Sequence, residues 1–261
     1  MSEDSVLVSK EDGICTVTIN RPEKRNAFTP AMMRHLADLV RSIGDDRETR
    51  VVVLRGASRQ AFSSGYDIEQ VKPESICDAE DAWAAIESCP CPVLAMIYGY
   101  AVAGGLALAL ACDLRIAAEN TKVGMTMVKI GTLYSVGGLE RLMNIAGLAA
   151  TKKVLYTGRL FAANEALAMG LVDQVAPVDK LEKVTYDLAH EIADNSSLAV
   201  RATKLAITSI MQGRAADEQT SERLVDTRRE LFESADHQEG VQAFAEKRNP
   251  VFRSRSSKDP P

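Results

Sequence analysis

Gly99-Tyr100-Ala101-Val102-Ala103-Gly104-Gly105 is the stretch that decides the fold. The apolar run Val93–Ile97 before it predicts a strand buried on both faces, and the apolar residues after it predict a helix through Cys112. Gly104 and Gly105 have no side chain that would keep a ligand away from the backbone. The N–H groups of a helix's first turn lack partners within the helix, and its dipole favours negative charge there. The stretch therefore suits a bound oxyanion, and tight packing of the helix on the strand explains the two glycines equally well.

Strands and helices alternate on both sides of this stretch. Apolar residues alternate with polar ones over 15–19, which predicts a half-buried strand. Thr29 before Pro30 is typical of a helix start, and apolar residues at helical spacing continue to about Ile43. The run 51–54 predicts another buried strand. Repeated strand–loop–helix units predict an α/β layered architecture with ligand-binding loops at the strand ends.

The C-terminal part of the chain is helical in its pattern. A strand is expected at 171–175, and helices follow at 181–194, 199–211, 217–232 and 239–247. The change in composition near Asn195 divides the chain into an α/β core, residues 1–195, and a helical region, residues 196–252. Residues 253–261 are polar and end in proline, and we expect a flexible tail there.

Composition and charge exclude several classes of protein. The chain has 46% hydrophobic and 26% charged residues, which is ordinary for a soluble globular protein. Its formal net charge of −5 gives no basic surface for nucleic acid. The longest apolar run, 93–111, is interrupted by glycines, so no membrane span is expected, and the acidic start 1–4 is unlike a secretory signal. These features predict a cytoplasmic protein.

The cysteines fit a reducing compartment, because there are five of them and they form no framework. Cys89-Pro90-Cys91 contains the one close pair. It could be half of a metal site, but no histidine lies near it in sequence. The sequence therefore predicts neither a metal nor a bound cofactor.

A set of motifs follows in a fixed order along the chain. They are Asn26-Ala27-Phe28, Phe62-Ser63-Ser64-Gly65-Tyr66-Asp67, the stretch 99–105, Ala111-Cys112-Asp113-Leu114-Arg115-Ile116-Ala117, Gly137-Gly138-Leu139-Glu140-Arg141-Leu142, Ala166-Leu167-Ala168-Met169-Gly170-Leu171-Val172 and Phe244-Ala245-Glu246-Lys247-Arg248. Each motif is moderately specific, and the ordered set is highly specific. It resembles the enoyl-CoA hydratase/isomerase family, the crotonases, over roughly residues 6–252.

The resemblance implies an α/β fold, a crotonase-like spiral of ββα units followed by a C-terminal helical trimerisation region. It implies an acyl-CoA substrate that brings coenzyme A with it, so no separate cofactor is expected. It also implies a homotrimer or a dimer of trimers.

The resemblance also assigns site residues by position. The backbone N–H groups of Tyr66 and Gly104 would form an oxyanion hole that holds the thioester oxygen while negative charge develops on it. The residues expected to bind substrate are Arg25, Ala27, Ser64, Gly65, Tyr66, Asp67, Ile68, Gly104, Thr126 and Lys247. Lys247 matches a C-terminal lysine that reaches the nucleotide part of CoA in relatives.

This chain departs from the hydratase pattern at the positions that move protons. Hydratase relatives carry paired glutamates, and here those positions are Ala107 and Met127. Neither side chain can transfer a proton, so ordinary enoyl-CoA hydration is not expected. A glutamate that isomerase relatives carry near 135–136 is also absent. Glu140 lies nearby, but its place in a helix start explains it through the helix dipole.

The segment Met125-Thr126-Met127-Val128, with Tyr134 after it, resembles the methylmalonyl-CoA decarboxylase branch. The phenol would orient the substrate carboxylate, and Thr126 would contact the same region, which makes both candidates for catalysis. Decarboxylation of a malonyl-type thioester needs no general base, because loss of CO₂ itself generates the enolate. The branch carries histidine at Tyr66, proline at Leu133 and glutamate at Ala107, so the match is partial.

Other interpretations remain open. Tyr134 is explained nearly as well as a loop tyrosine that packs on its neighbours. The chain could act as an enoyl-CoA hydratase or isomerase on another acyl-CoA, or it could be a non-catalytic CoA-binding homologue. A carbon–carbon lyase acting on a methylmalonyl-CoA-like substrate is the leading prediction.

Overall fold

Two β-sheets form the centre of the molecule. The structure is a computed structural model that describes residues 5–67, 69–70, 76–213 and 217–252. Its strands are β1 Val6–Glu11, β2 Ile14–Ile19, β3 Val51–Gly56, β4 Ala61–Ser63, β5 Val93–Ile97, β6 Tyr100–Val102, β7 Leu114–Ala118, β8 Lys122–Gly124, β9 Phe161–Ala162 and β10 Gln174–Ala176. The six-stranded sheet has the order β1-β2-β3-β5-β7-β10, and the four-stranded sheet has the order β4-β6-β8-β9.

The larger sheet is parallel except at one edge. The β1–β2 hairpin is antiparallel, while β2, β3, β5, β7 and β10 pair in parallel. Parallel strands need crossovers, and helices cover both faces, so the inner strands are buried and rich in Val, Ile and Leu. This confirms the expected α/β layer architecture.

The smaller sheet positions the candidate site. Strands β4, β6 and β8 lie side by side in parallel, and β9 pairs antiparallel with β8. The carboxyl ends of parallel strands meet at one edge of a sheet, so the loops after β4, β6 and β8 converge.

The described helices are α1 Pro30–Asp45, α2 Ile76–Ser88, α3 Gly104–Ala111, α4 Val136–Thr157, α5 Ala163–Ala168, α6 Leu181–Ala193, α7 Ser197–Met211, α8 Glu218–Glu233 and α9 Ala235–Glu246. Helices α1, α3, α6, α7 and α8 begin and end within about two residues of the predicted positions, whereas α9 begins four residues before its predicted start at 239. The predicted start of α1 is confirmed, because the Thr29 hydroxyl accepts a hydrogen bond from the Met32 amide and Pro30 is the first helical residue. Every residue of α3 is buried.

The last three helices extend from the core. The chain passes from α6 to α7 at 194–196, next to the expected boundary. Helix α8 has no buried residue, and apolar side chains such as Val225, Phe232 and Phe244 are exposed. The division into two domains and the trimer stay predictions.

Two expectations about strands are wrong. Strand β2 is buried along its whole length, not half-buried, because β1 and β3 flank it and its threonines bond to side chains, Thr16 to Tyr186 and Thr18 to Arg55. The strand expected at 171–175 is only Gln174–Ala176. Leu171 is buried instead in the turn that ends α5, where its amide bonds to the Ala166 carbonyl.

Three further expectations concern a membrane span, the C-terminal tail and Ile68. Within the described part, no helix is long and apolar enough to cross a membrane. The expected flexible tail, 253–261, lies outside the described residues. So does Ile68, for which the resemblance implies contact with substrate.

Candidate active site

Three loops meet around the first residue of α3. They follow β4 at 64–67, β6 at Ala103 and β8 at 125–126. The amide of Ala103 donates to the carbonyl of Gly124 at 2.8 Å, which fixes the second loop on the third. The structure thus brings together the loops at 64–67 and 103–105, from which the oxyanion donors were expected, and places the segment around Thr126 beside them.

The predicted CoA-binding loops are joined through their backbones. Phe28 donates its amide to the Gly65 carbonyl at 2.8 Å, and Asp67 donates to the Phe28 carbonyl at 2.9 Å. The Ser64 amide donates to the carbonyl of Arg25 at 3.0 Å. Residues 25–28 and 64–67 therefore form one surface beside α3, which places Arg25, Ala27, Ser64 and Gly65 together.

Glycine is required where this surface touches α3. Gly65 has φ +93°, in the region that favours glycine, and a Cβ there would lie 2.9 Å from the Gly104 amide nitrogen. A Cβ on Gly105 would lie 2.1 Å from the Ser63 carbonyl oxygen. Glycine at position 105 is therefore needed for α3 to pack against Ser63, in addition to any role in bringing the backbone close to a ligand.

The two expected oxyanion donors are neighbours. A Cβ placed on Gly104 would lie 3.3 Å from the Gly65 Cα and 3.5 Å from the Tyr66 amide nitrogen. Gly104 is the first residue of α3, so its N–H has no partner within the helix, and Ala103 supplies no side-chain cap. The helix dipole adds partial positive charge at this point. Negative charge on a ligand atom is stabilised here.

Ala103 is held in an unusual conformation at the centre of the site. Its φ is +49° and its ψ is −115°, which a residue with a Cβ rarely adopts. Two hydrogen bonds hold it, from its own amide to the Gly124 carbonyl and from the Ala107 amide to its carbonyl. Strain of this kind costs on the order of 1–3 kcal/mol and clusters at functional sites.

Two side-chain interactions hold the loop after β4 in place. The rings of Phe28 and Tyr66 meet edge to face with centroids 6.4 Å apart. The buried Asp67 carboxylate accepts from Arg21 Nη2 at 3.1 Å and from Gln70 Nε2 at 3.3 Å. Because both contacts lie within the protein, the geometry shows Asp67 orienting its loop, and its contact with substrate stays a prediction.

The positions of the missing acids lie beside the hole. Ala107 is fully buried in α3, one turn after Ala103. Met127 is half-buried at the start of a short 3-10 turn and packs against the hydrophobic core. Thr126 directly precedes it and is also half-buried. The two acid positions therefore carry apolar side chains, and a single hydroxyl, that of Thr126, precedes the second of them.

Tyr134 lies deeper than a residue on an open pocket wall. Its side chain is 2% exposed, and its ring crosses Gly138, where a Cβ would lie 2.3 Å from its Cζ. Burial raises the pKa of Tyr134 to about 12, and the positive charge of Arg141 only partly opposes that rise. The hydroxyl lies near the Arg141 guanidinium but outside hydrogen-bond geometry. Tyr134 is therefore a neutral phenol at neutral pH, and its role toward substrate stays a prediction.

Lys247 ends α9 in a left-handed conformation and is exposed. Helix α9 packs against α8. Its contact with the nucleotide part of a ligand stays a prediction.

Sequence reasoning missed the residues that hold the loops together. Asn26 is buried with φ +56°; its side chain accepts from the Arg21 amide at 3.0 Å and donates to the Ala61 carbonyl at 2.7 Å. The Ser63 hydroxyl donates to the Asn26 carbonyl at 2.8 Å and accepts from the Gly65 amide at 3.1 Å. Asparagine tolerates left-handed backbone, so its place before Ala27 in the first motif was the available signal.

Comparison with family models gives one match that covers nearly the whole chain. The model described as Enoyl-CoA hydratase/isomerase matches residues 9–255. This range contains all three loops of the site and the helices α7–α9.

Individual proteins match over similar lengths. A Bacillus subtilis protein named as an enoyl-CoA hydratase/isomerase, YngF, is 36% identical over 96% of this chain and 98% of its own length. A Mycobacterium bovis protein named as an enoyl-CoA hydratase, echA8, is 34% identical over 98% of this chain and 100% of its own length. The crystal structure of an enoyl-CoA hydratase/carnithine racemase from Magnetospirillum magneticum superposes with a TM-score of 0.90 at 34% identity, covering 97% of each chain.

Proposed function

This chain belongs to the enoyl-CoA hydratase/isomerase family, and we propose that it binds an acyl-CoA thioester and stabilises the enolate formed from it. The backbone N–H groups of Tyr66 and Gly104 hold the thioester oxygen. The observation that supports this most strongly is the close approach of the two residues at the N-terminus of a fully buried helix. Donors fixed in this way need no reorganisation as charge develops, and such electrostatic stabilisation often contributes more to catalysis than any other effect.

The names of the relatives favour hydratase or isomerase chemistry on an acyl-CoA. Such a reaction needs a group that moves the proton at the carbon next to the thioester. Ala107 and Met127 cannot do so. If this chain catalyses such a reaction, another residue carries the proton.

Decarboxylation of a malonyl-type thioester is the second candidate, and the side chains of the site favour it. Ala107 and Met127 place apolar side chains at both acid positions, and in apolar surroundings a carboxylate is poorly solvated and its loss is favoured. Thr126 and the neutral phenol of Tyr134 are the polar groups that would orient the leaving carboxylate. The oxyanion hole then stabilises the enolate that loss of CO₂ creates.

A panel of CoA thioesters separates the two candidates. Turnover of crotonyl-CoA by the purified protein is measured as loss of enoyl absorbance. Turnover of methylmalonyl-, malonyl- and ethylmalonyl-CoA is measured as release of CO₂. Decarboxylation predicts CO₂ from at least one malonyl-type ester and almost no crotonyl-CoA turnover. Crotonyl-CoA turnover without CO₂ from any of the three would leave the hydratase-type reaction as the function.

A protein that binds CoA without catalysis would give a third result. Tight acyl-CoA binding by calorimetry, with no turnover of a broad thioester panel, would identify it.

We also propose that the protein assembles as a homotrimer or a dimer of trimers. Apolar side chains are exposed on α7–α9, among them Ile210, Val225 and Phe232. An interface between subunits would bury them away from water. Sedimentation should show a trimer or hexamer, and a stable monomer at micromolar concentration would contradict the assembly.

A further inference from the structure

A pair of cysteines lies outside the site described above. Cys89 and Cys91 flank Pro90 in the bend between α2 and β5, and their sulfur atoms are 3.4 Å apart. Both side chains are buried, at 3% and 0% exposure. Strand β5 continues from this bend to the stretch 99–105, so the pair lies at the opposite end of the strand that carries the oxyanion loop.

A cavity gives small molecules a route to Cys89. It has a volume of about 360 Å³, is lined by parts of α2, α7 and α8, and includes Cys89, Arg201, Lys204 and Arg223 on its wall. A water molecule occupies roughly 30 Å³ in the liquid, so the space admits a solute of a few heavy atoms.

The charges around the pair favour a thiolate on Cys89. The hydrogen bond between the two thiols, together with the positive charge of Lys204, lowers the pKa of Cys89 below its usual value and outweighs the opposite effect of burial. That same hydrogen bond and burial raise the pKa of Cys91. By contrast, burial raises the pKa of Cys15 to about 11 and of Cys112 to about 12. Cys89 is thus the nucleophile among these four thiols, and Cys91 is the resolving partner.

Lys204 is held in place for this role. Its ammonium group donates to the Cys91 carbonyl at 3.1 Å and to the Asp113 carboxylate at 2.6 Å. Both contacts are buried or partly buried, so the cation stays beside the sulfurs. The same lysine joins α7 to the bend, and it joins both to the end of α3.

We propose that Cys89 and Cys91 are a redox modification site that a small peroxide converts to a reversible intramolecular disulfide. The Cys89 thiolate attacks one oxygen of hydrogen peroxide, the O–O bond breaks, and the departing oxygen takes a proton to leave as water. Cys89 is then a sulfenic acid. The Cys91 sulfur attacks Cys89 Sγ, the S–O bond breaks, and hydroxide leaves with the Cys91 proton as a second water. Two thiols are oxidised and one peroxide is reduced.

The geometry allows this closure. A disulfide bond is about 2.05 Å long, so the sulfur atoms must approach by roughly 1.4 Å, which side-chain rotation in the bend can supply. The other two described cysteine side chains make no hydrogen bond to a sulfur: the Cys112 thiol donates to the Leu108 carbonyl, and Cys15 in β2 interacts with Cys89 only through charge.

Peroxide treatment followed by mass spectrometry tests the proposal. The full-length protein should lose two hydrogen atoms in mass, and fragmentation should place the bridge between Cys89 and Cys91. Dithiothreitol should restore the original mass. A bridge that involves any other cysteine, or no mass loss at a peroxide excess that oxidises a free thiol control, would overturn it.

Variants assign the two roles. Cys91→Ser should stop at the sulfenic acid, seen as one added oxygen and as labelling of Cys89 by dimedone, while Cys89→Ser should do neither. Cys15→Ser and Cys112→Ser are matched controls and should form the bridge as the parent protein does. If a variant fails to fold by circular dichroism, the fragmentation map of the parent protein still decides.

Discussion

One side of the site presents backbone groups, and the other side presents side chains. One side, which we call the glycine rim, consists of residues 63–67 and 103–105, and the proposed function assigns its action to backbone N–H groups. The other, the side-chain rim, consists of residues 125–134 together with Ala107. The glycine rim keeps the family pattern in this chain, whereas the side-chain rim departs from it at both glutamate positions. Backbone geometry therefore identifies the ligand class, and side chains select the reaction.

The largest expected effect is a loss of stability when a side chain is added to Gly105 in the glycine rim, where two backbone segments pack against each other. In Gly105→Ala, the new Cβ would lie 2.1 Å from the Ser63 carbonyl oxygen, which cannot move without breaking the smaller sheet. We expect the free energy of unfolding, measured by urea titration, to fall by about 3 kcal/mol or more. Gly137→Ala is the control, because a Cβ there meets no atom within 4 Å, and its stability should be equal or slightly higher. Equal stability of both variants would contradict the tight backbone packing at Gly105.

A smaller change in the glycine rim should separate activity from folding. In Gly104→Ala, the Cβ would lie 3.3 Å from the Gly65 Cα and near the Tyr66 amide, so it narrows the space for the thioester oxygen. We expect the protein to fold and kcat/KM for its best acyl-CoA to fall by about 100-fold, as when one oxyanion donor is lost. Unchanged kcat/KM in a folded variant would remove Gly104 from the hole.

A substitution in the side-chain rim should slow decarboxylation and leave hydration or isomerisation unchanged. If Tyr134 donates to the substrate carboxylate, Tyr134→Phe should slow CO₂ release by about tenfold, the loss of one hydrogen bond to a charged group. Hydration or isomerisation of an enoyl-CoA should not change. Tyr156→Phe, an exposed tyrosine on α4, is the matched control. Full CO₂ release by Tyr134→Phe would favour the packing interpretation of this residue.

The smallest effect concerns stability at high pH. Burial raises the pKa of Tyr134 to about 12, so the unfolded chain loses this proton from about pH 10 while the folded chain keeps it. Stability is therefore fully present below pH 10 and is lost as pH rises toward 12, by on the order of 1 kcal/mol at pH 11.

The difference between parent and Tyr134→Phe isolates this loss from other titrations. Denaturation at pH 9 and pH 11 should show a steeper fall for the parent protein than for the variant, while Tyr156→Phe follows the parent. Parallel curves for all three proteins would mean that the Tyr134 phenol reaches solvent.

Much of the fold could be predicted because its signals are local. The Thr29-Pro30 helix start and the apolar run Val93–Ile97 agree with the structure, since capping and burial both act over a few residues. Strand β6 lies in the stretch 99–105, for which the sequence predicts no strand, because a short strand is decided by its neighbours β4 and β8, which are distant in sequence. The full burial of β2 likewise depends on its neighbouring strands.

The site divides in the same way. The glycines predicted the close approach of Gly104 to a second loop, because only backbone chemistry was involved. The depth of Tyr134 could not be predicted, since it depends on Gly138 and on the position of Arg141 across the start of α4. The roles of Asn26 and Ser63 in joining two loops are also invisible without the fold.

A structure of the protein with a non-hydrolysable acyl-CoA analogue tests the central claim most directly. The distance to measure joins the oxygen that replaces the thioester carbonyl oxygen to the amide nitrogens of Tyr66 and Gly104. We predict about 2.7–3.1 Å to both nitrogens. An acyl group bound with that oxygen beyond hydrogen-bond distance of both would contradict the oxyanion hole and the function built on it.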